Sequence, residues 1–220
     1  MIQEIHISEI FNSFKDGSYM GFWRKGIFSY LIRYVQRFDR SSKDLEKVSH
    51  VGSILEVSYI RESEYDLLSF RLSHQTLTKG GQYDLWKIKF DKSLNRFILL
   101  NKTKYTDFYL TIRDYTLSKE QTIIGVKDSL SQYKQKYGLL TLILSLPGIS
   151  HTLGKLSSFE KLSKAKRVCS KHSWIQSKFM GLISEADYLK NPNPTPEYVL
   201  TYKQGFLSGK LVKIKGLEFA

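Results

Sequence analysis

Five strand-like runs follow one another through the middle of the chain, and they constrain its fold more than any other feature. Each run is rich in β-branched and aromatic residues, and turn material containing Lys, Asn, Ser or Gly separates it from the next. Such short connections join antiparallel neighbours, so an antiparallel sheet is predicted that begins with a hairpin turning near Glu62 and Ser63. The runs span residues 48–59, 66–74, 83–90, 96–100 and 107–113.

Helical patterns flank the predicted sheet. Apolar residues at helical spacing predict an amphipathic helix over residues 26–38. Ser118, followed three residues later by Gln121, forms a capping-box pattern that predicts a helix ending near residue 136. A short strand pair is predicted after the proline-rich connector of residues 191–196. The expected fold class is therefore α+β, with the antiparallel sheet packed against helices.

The length of 220 residues suits one domain, and 41% hydrophobic with 14% aromatic residues exclude a disordered chain. One domain is predicted over residues 1–220, with a core over 26–180 and a C-terminal extension over 181–220. No signal peptide is expected, because acidic residues interrupt the apolar residues near the N-terminus. No transmembrane segment is expected either, because the longest apolar run, residues 139–146, is far below the roughly 20 residues that span a bilayer.

The chain carries 34 Lys and Arg against 21 Asp and Glu, a formal net charge of +13. This excess favours polyanionic partners such as nucleic acid, anionic lipid headgroups or an acidic cell-wall polymer. The alternative is that the excess lysines lie on solvated surfaces and only keep the protein in solution. Near the C-terminus, Lys210, Lys213 and Lys215 interleave with apolar residues, which predicts an edge strand with outward lysines. A nucleic-acid groove is the alternative for this strand.

The only cysteine of the chain is Cys169, so no internal disulfide can form. The sequence has no Cys/His cluster with zinc-binding spacing, and neither a metal nor a cofactor is expected. A basic helix predicted over residues 168–180 begins at this thiol, and the positive end of a helix stabilises a thiolate. A buried structural cysteine is the alternative, because free cysteine is among the most buried residue types. Nearby positive charge is predicted to lower the pKa of the thiol further, and the basic residues around it are Lys164, Lys166, Arg167 and Lys171.

The predicted hairpin brings His74 roughly opposite His50 on the neighbouring strand, close enough to orient the His50 ring. A shift of one residue in the strand register would turn His74 to the other face and leave it without a role. His172 lies one helical turn after the cysteine and is predicted on the helix surface. His6 and His151 are expected to be solvated histidines.

The segment Ser49-His50-Val51-Gly52 opens an apolar strand, and Val168-Cys169-Ser170 follows after a sheet and a helix. This order resembles that of the circularly permuted papain-like hydrolases. These are the YiiX-like members of the NlpC-type cysteine peptidases, which are related to the lecithin:retinol acyltransferase-like proteins. The resemblance covers roughly residues 26–180 and implies a papain-like fold with Cys169 as nucleophile and His50 as base. His74 is then the predicted third catalytic residue, which orients the base.

The resemblance also implies a reaction, the hydrolysis of an amide or ester bond in cell-wall peptides or lipid-like acyl groups. An anionic polymer or cell-wall substrate is then the expected partner, and the protein is expected to be cytoplasmic or virion-associated. The alternative is a non-enzymatic phage virion component that keeps the papain-like fold and uses its basic surface against nucleic acid or virion subunits.

Overall fold

The computed structural model describes most of the chain, and the helix predicted over residues 26–38 lies largely outside that part. His151, Lys164 and Lys166 lie outside it as well. Within the described residues, nine strands form one mostly antiparallel sheet against which helices pack. The expected α+β class is confirmed. The described residues are 2–27, 29, 30, 32, 48–136, 167–192, 194–202 and 209–220.

The five strands predicted from the sequence correspond to β3–β7, and two strands, β8 and β9, follow the proline-rich connector as predicted. These two do not pair with each other, because β8 lies between β1 and β7 and β9 pairs with β6. The strands β1 and β2 were not predicted. The strands are β1 Gln3–His6, β2 Tyr19–Trp23, β3 His50–Arg61, β4 Tyr65–Thr76, β5 Gly80–Asp91, β6 Arg96–Leu99, β7 Asp107–Arg113, β8 Gly209–Lys215 and β9 Leu217–Phe219. The helices are α1 Ile7–Ile10, α2 Lys119–Ser131, α3 Cys169–Phe179, α4 Glu185–Lys190 and α5 Pro196–Thr201.

The strand order across the sheet is β1-β8-β7-β2-β3-β4-β5-β6-β9. The neighbours from β8 to β6 run antiparallel, whereas the outermost pairs, β1 with β8 and β6 with β9, run parallel. Only Gly216 separates β8 from β9 along the chain, although the two strands lie near opposite ends of this order. The sheet must therefore curl until its ends meet, and a ring contact between His6 and Phe97 joins them.

The C-terminal lysine strand is not an edge strand, so that prediction was wrong. Strand β8 lies between β1 and β7, and it hydrogen-bonds to both. Lys213 forms ion pairs with Glu4 and Asp107 on these two neighbours, and Lys215 pairs with Glu4. The sequence could not show this, because β1 and β8 come from opposite ends of the chain. The sheet thus extends beyond residues 26–180, the range predicted as the core.

Successive residues along a strand point to opposite faces of the sheet and belong to two separate hydrophobic cores. On β2, Met20 and Phe22 belong to a core on the inner face of the curled sheet, while Tyr19 belongs to a core on the outer face. Strand β7 repeats the alternation, with Phe108 facing the inner core and Tyr109 the outer one. The outer core lies against α3 and α5, which supply large apolar side chains: Trp174, Val199 and Leu200.

Helix α3 is the most deeply buried helix of the described residues, and every residue from Cys169 to Ser177 is buried. It packs across β3 and β4 and also touches α2, α4 and α5. The predicted capping box opens α2, where Ser118 accepts from the backbone of Gln121 and the Gln121 side chain accepts in return. That helix ends at Ser131, before the predicted end at residue 136. Among the described residues, no helix is both long and apolar enough to cross a membrane.

Candidate thiol and histidine site

His50 and His74 are in direct contact, as the hairpin geometry predicts. His50 is the first residue of β3, and His74 lies near the end of β4 at the same end of the sheet. The Nε2 atom of His50 is 2.7 Å from Nδ1 of His74, and both rings are buried. This distance is that of a good hydrogen bond, so the two rings form one unit.

A β-bulge in β3 puts the two histidines on the same face. Toward the turn, Ser58 pairs with Ser69, whereas beyond the bulge Ser53 pairs with Ser73, which is a register shift of one residue. Without that shift His74 would lie opposite Ser53 and face away from His50, because side chains alternate between the two faces. Glu56, at the bulge, has a φ of 53°.

Gly52, the last residue of the Ser-His-Val-Gly segment, makes room for His74. A Cβ atom at position 52 would lie 3.0 Å from Cβ of His74 and 2.9 Å from Cδ1 of Leu72. Both contacts are closer than ordinary van der Waals contact, so a side chain here would push the second histidine away. The glycine of the motif therefore has a packing role.

Asp84 extends the histidine pair to the protein surface. Its Oδ2 atom on β5 is 3.3 Å from Nε2 of His74, and the Asp84 side chain is 48% exposed against 5% for His74. The hydrogen bond from His74 is the main cause that lowers the pKa of the Asp84 carboxyl group. Sequence reasoning missed Asp84. The strand register could have indicated Asp84. Gln82 pairs with His74, and Asp84 lies two residues further along β5 on the same face as Gln82.

Two aromatic rings hold the His50 imidazole. Tyr105 stacks on it with a centroid distance of 5.7 Å and an interplanar angle of 11°, and Phe22 contacts it at 5.8 Å. Burial raises the pKa of the Tyr105 phenol, and the negative charge of a Cys169 thiolate raises that pKa further. The Cys169 sulfur therefore lies within electrostatic reach of the ring that stacks on His50.

Cys169 is the first residue of α3, as predicted. Val168 is the N-cap and provides no side-chain hydrogen bond to the helix. The thiol therefore lies at the end of the helix where the peptide dipoles leave a partial positive charge, which favours a thiolate. The residue is only 2% exposed, so solvent reaches it poorly in this conformation.

The pKa of His50 is held well below its usual value. Burial is the largest cause, and the neighbouring His74 and His172 add to it. All three effects disfavour the imidazolium ion, so His50 is neutral near pH 7. A neutral imidazole is the form that accepts a proton.

His172 is not on the helix surface, so that prediction was wrong. It is 1% exposed, its Nε2 atom is 2.7 Å from Oγ of Ser73, and its Nδ1 atom is 3.3 Å from Nη1 of Arg167. Because an arginine only donates hydrogen bonds, Nδ1 accepts, and Nε2 carries the hydrogen that it donates to Ser73. Burial, followed by the charge of Arg167, lowers the pKa of His172. This histidine fastens α3 to β4.

The charge of Arg167, predicted to stabilise the thiolate, is paired with a carboxylate. Its Nη1 atom is 2.9 and 2.7 Å from the two carboxylate oxygens of Asp128 on α2, and both side chains are nearly buried. Because Arg167 lies two residues before Cys169, the pair links α2 to the chain just before α3. Lys171, also predicted near the thiol, is buried.

The described part of the chain has no group of three His, Cys, Asp or Glu residues that could hold a metal ion. The histidine pair and Asp84 form a line in which both nitrogens of His74 already have partners. No protein-family model and no curated protein matches this chain.

Proposed function

We propose that the protein is a cysteine hydrolase with a circularly permuted, papain-like fold of the NlpC type. Three features support the proposal: the strand that begins with His50 precedes the helix that begins with Cys169, that helix packs on an antiparallel sheet, and Tyr105 both stacks on His50 and lies within electrostatic reach of Cys169. The observation that carries it is the 2.7 Å contact between His50 and His74, which leaves one nitrogen of His50 for a second partner. A histidine with one nitrogen held in this way is typical of a general base.

The proposed reaction begins when His50 accepts the proton of the Cys169 thiol, which leaves a thiolate and an imidazolium ion. The thiolate attacks the carbonyl carbon of an amide or ester, and the backbone amide of Cys169 stabilises the negative carbonyl oxygen. The imidazolium then gives its proton to the departing amine or alcohol, and a thioester remains on the sulfur. His50 next takes a proton from water, whose oxygen attacks the thioester and releases the acid and the thiol.

The substrate class rests on the family resemblance and on charge. The resemblance favours cell-wall peptides, with lipid-like acyl groups as the second class. The net charge of +13 favours a substrate that belongs to an anionic polymer, because such a polymer concentrates a basic protein at its surface. A virion-associated lysin is one protein that would meet this substrate without being exported by its host.

A non-enzymatic protein on the same fold is the second candidate. The exposure of only 2% for Cys169 and 8% for His50 favours it, because a substrate must reach both residues. In this case the thiol is a buried apolar group, and the basic surface binds nucleic acid or virion subunits.

Hydrolysis assays separate the two candidates. Peptidoglycan fragments and short-chain esters are incubated with the wild type, Cys169→Ser and His50→Ala, with His6→Ala as a matched control at an exposed histidine. We expect both site variants to lose turnover to the same extent while they remain folded, because the thiol and the base act as a unit. A wild type that hydrolyses none of these substrates, with Cys169→Ser unchanged in melting temperature, supports the non-enzymatic candidate instead.

A further inference from the structure

The hydrogen bonds from Asp84 to His50 have only one consistent direction when both rings are neutral. A carboxylate can only accept, and the hydrogen bond with His74 keeps the Asp84 carboxyl group ionised by lowering its pKa. Nε2 of His74, 3.3 Å from Asp84, must then carry a hydrogen and donate it. The remaining nitrogen of a neutral His74, Nδ1, is therefore an acceptor.

The direction of the hydrogen bond between Asp84 and His74 also determines the direction of the one between His74 and His50. Nδ1 of His74 accepts at 2.7 Å from Nε2 of His50, so Nε2 of His50 carries the hydrogen. A neutral His50 then has its lone pair on Nδ1. In the proposed mechanism this nitrogen takes the proton of the thiol, because Nε2 of His50 is already bound to His74.

We propose that Asp84 is a positioning residue that fixes the tautomers of both histidines and so keeps Nδ1 of His50 ready to accept the Cys169 proton. This inference rests on the proposed function of the site. In this proposal Asp84 takes no direct part in the reaction. It acts through His74, which is buried between the carboxylate and the base.

The surroundings of Asp84 fit this role. The carboxylate is 48% exposed, so it stays charged without a desolvation cost as large as that of a buried acid. The positive charges of Lys79 and Arg71 also lower its pKa, which favours the ionised, accepting form. Without the carboxylate, solvent would be the partner of Nε2 of His74, and water can donate as well as accept. Both tautomers of the pair would then be populated.

The test reads the tautomers directly. In protein labelled with ¹⁵N-histidine, long-range ¹H–¹⁵N spectra distinguish a protonated ring nitrogen from a bare one, and single histidine variants assign the signals. The proteins compared are the wild type, Asp84→Ala, Asp84→Asn and Asp91→Asn. Asp91 lies at the other end of the same strand and also holds hydrogen bonds, so its variant controls for general loss of stability. The second readout is the alkylation rate of Cys169 by iodoacetamide at pH 7.

We expect the wild type and Asp91→Asn to show His50 and His74 both protonated on Nε2. Asp84→Ala should show mixed tautomers at both rings and alkylation slower by about 10-fold, which is the low end of the effect of removing the orienting partner of a metal-binding histidine. Asp84→Asn keeps an oxygen that can accept, so its loss should be smaller, and it serves if the alanine variant does not fold.

Unchanged tautomers in Asp84→Ala and Asp84→Asn would overturn the inference, as would altered tautomers with unchanged alkylation in a protein whose His50→Ala variant alkylates more slowly than the wild type. These outcomes differ from a failure of the proposed function, in which His50→Ala alkylates at the wild-type rate although Asp84 still controls the tautomers.

Discussion

The ion pair between Arg167 and Asp128 should contribute more to stability than any exposed ion pair of the described residues. The side chains are 10% and 6% exposed, and one guanidinium nitrogen contacts both carboxylate oxygens. Asp128→Ala leaves a buried guanidinium beside the neutral His172, which cannot compensate its charge. Removing one partner of a buried pair costs about 3–5 kcal/mol. For a chain of this size that lowers the melting temperature by about 6 to 20 °C.

The assay is thermal unfolding followed by circular dichroism, with Glu218→Ala as the control. Glu218 pairs with Arg96 at 3.3 Å, but both side chains are about half exposed, so this variant should lose less than about 1 kcal/mol. Replacing both Arg167 and Asp128 by apolar residues should restore much of the lost stability, because no buried charge is then left alone. If Asp128→Ala melts within about 2 °C of the wild type, the pair does not hold α3 against α2 and the reasoning fails.

Three further predictions concern pH, packing and helix capping. His50 and His172 have lowered pKa values when folded, so the unfolded chain binds protons first as pH falls below about 6.5. The free energy of unfolding, measured with urea, should therefore fall between pH 7.5 and 5.5, by up to about 1.4 kcal/mol per pH unit for each histidine. Gly52→Ala should destabilise by about 1–3 kcal/mol and slow alkylation of the thiol, whereas Gly26→Ala, where no atom of the described residues lies within 4 Å of an added Cβ, should do neither. Ser118→Ala should cost about 1 kcal/mol in urea unfolding, because it removes the N-cap of α2.

The elements that the sequence predicts are those that local patterns determine. Strands β3–β7 follow from short apolar runs and turn residues, and the α2 cap follows from two side chains three residues apart. The strand β8 was misjudged because its neighbour β1 is about 200 residues away in the chain. A pattern of lysines on a strand looks the same whether solvent or the carboxylates of adjacent strands lie opposite.

The residues of the candidate site also divide into those that local sequence patterns predict and those that depend on the fold. His74 could be predicted from the hairpin, although its face depends on a bulge that the sequence does not reveal. His172 was misjudged because α3 is covered on all sides, which a helix of mixed polar and apolar residues does not indicate. Asp84 was missed because its role needs the register of a third strand, and Tyr105 because it precedes a strand and joins the site only through the sheet.

The proposed pairing of Cys169 with His50 is tested most directly by the rate at which iodoacetamide alkylates Cys169 as a function of pH. It is the only cysteine, so the total alkylation reports on this sulfur alone. If His50 activates this thiol, the rate has an inflection well below the free-thiol pKa of about 8.5 in the wild type. The inflection shifts toward that value in His50→Ala and does not change in His6→Ala. A thiol that stays inert in the folded protein, or a pH profile that is the same in the wild type and His50→Ala, would contradict the proposed pairing.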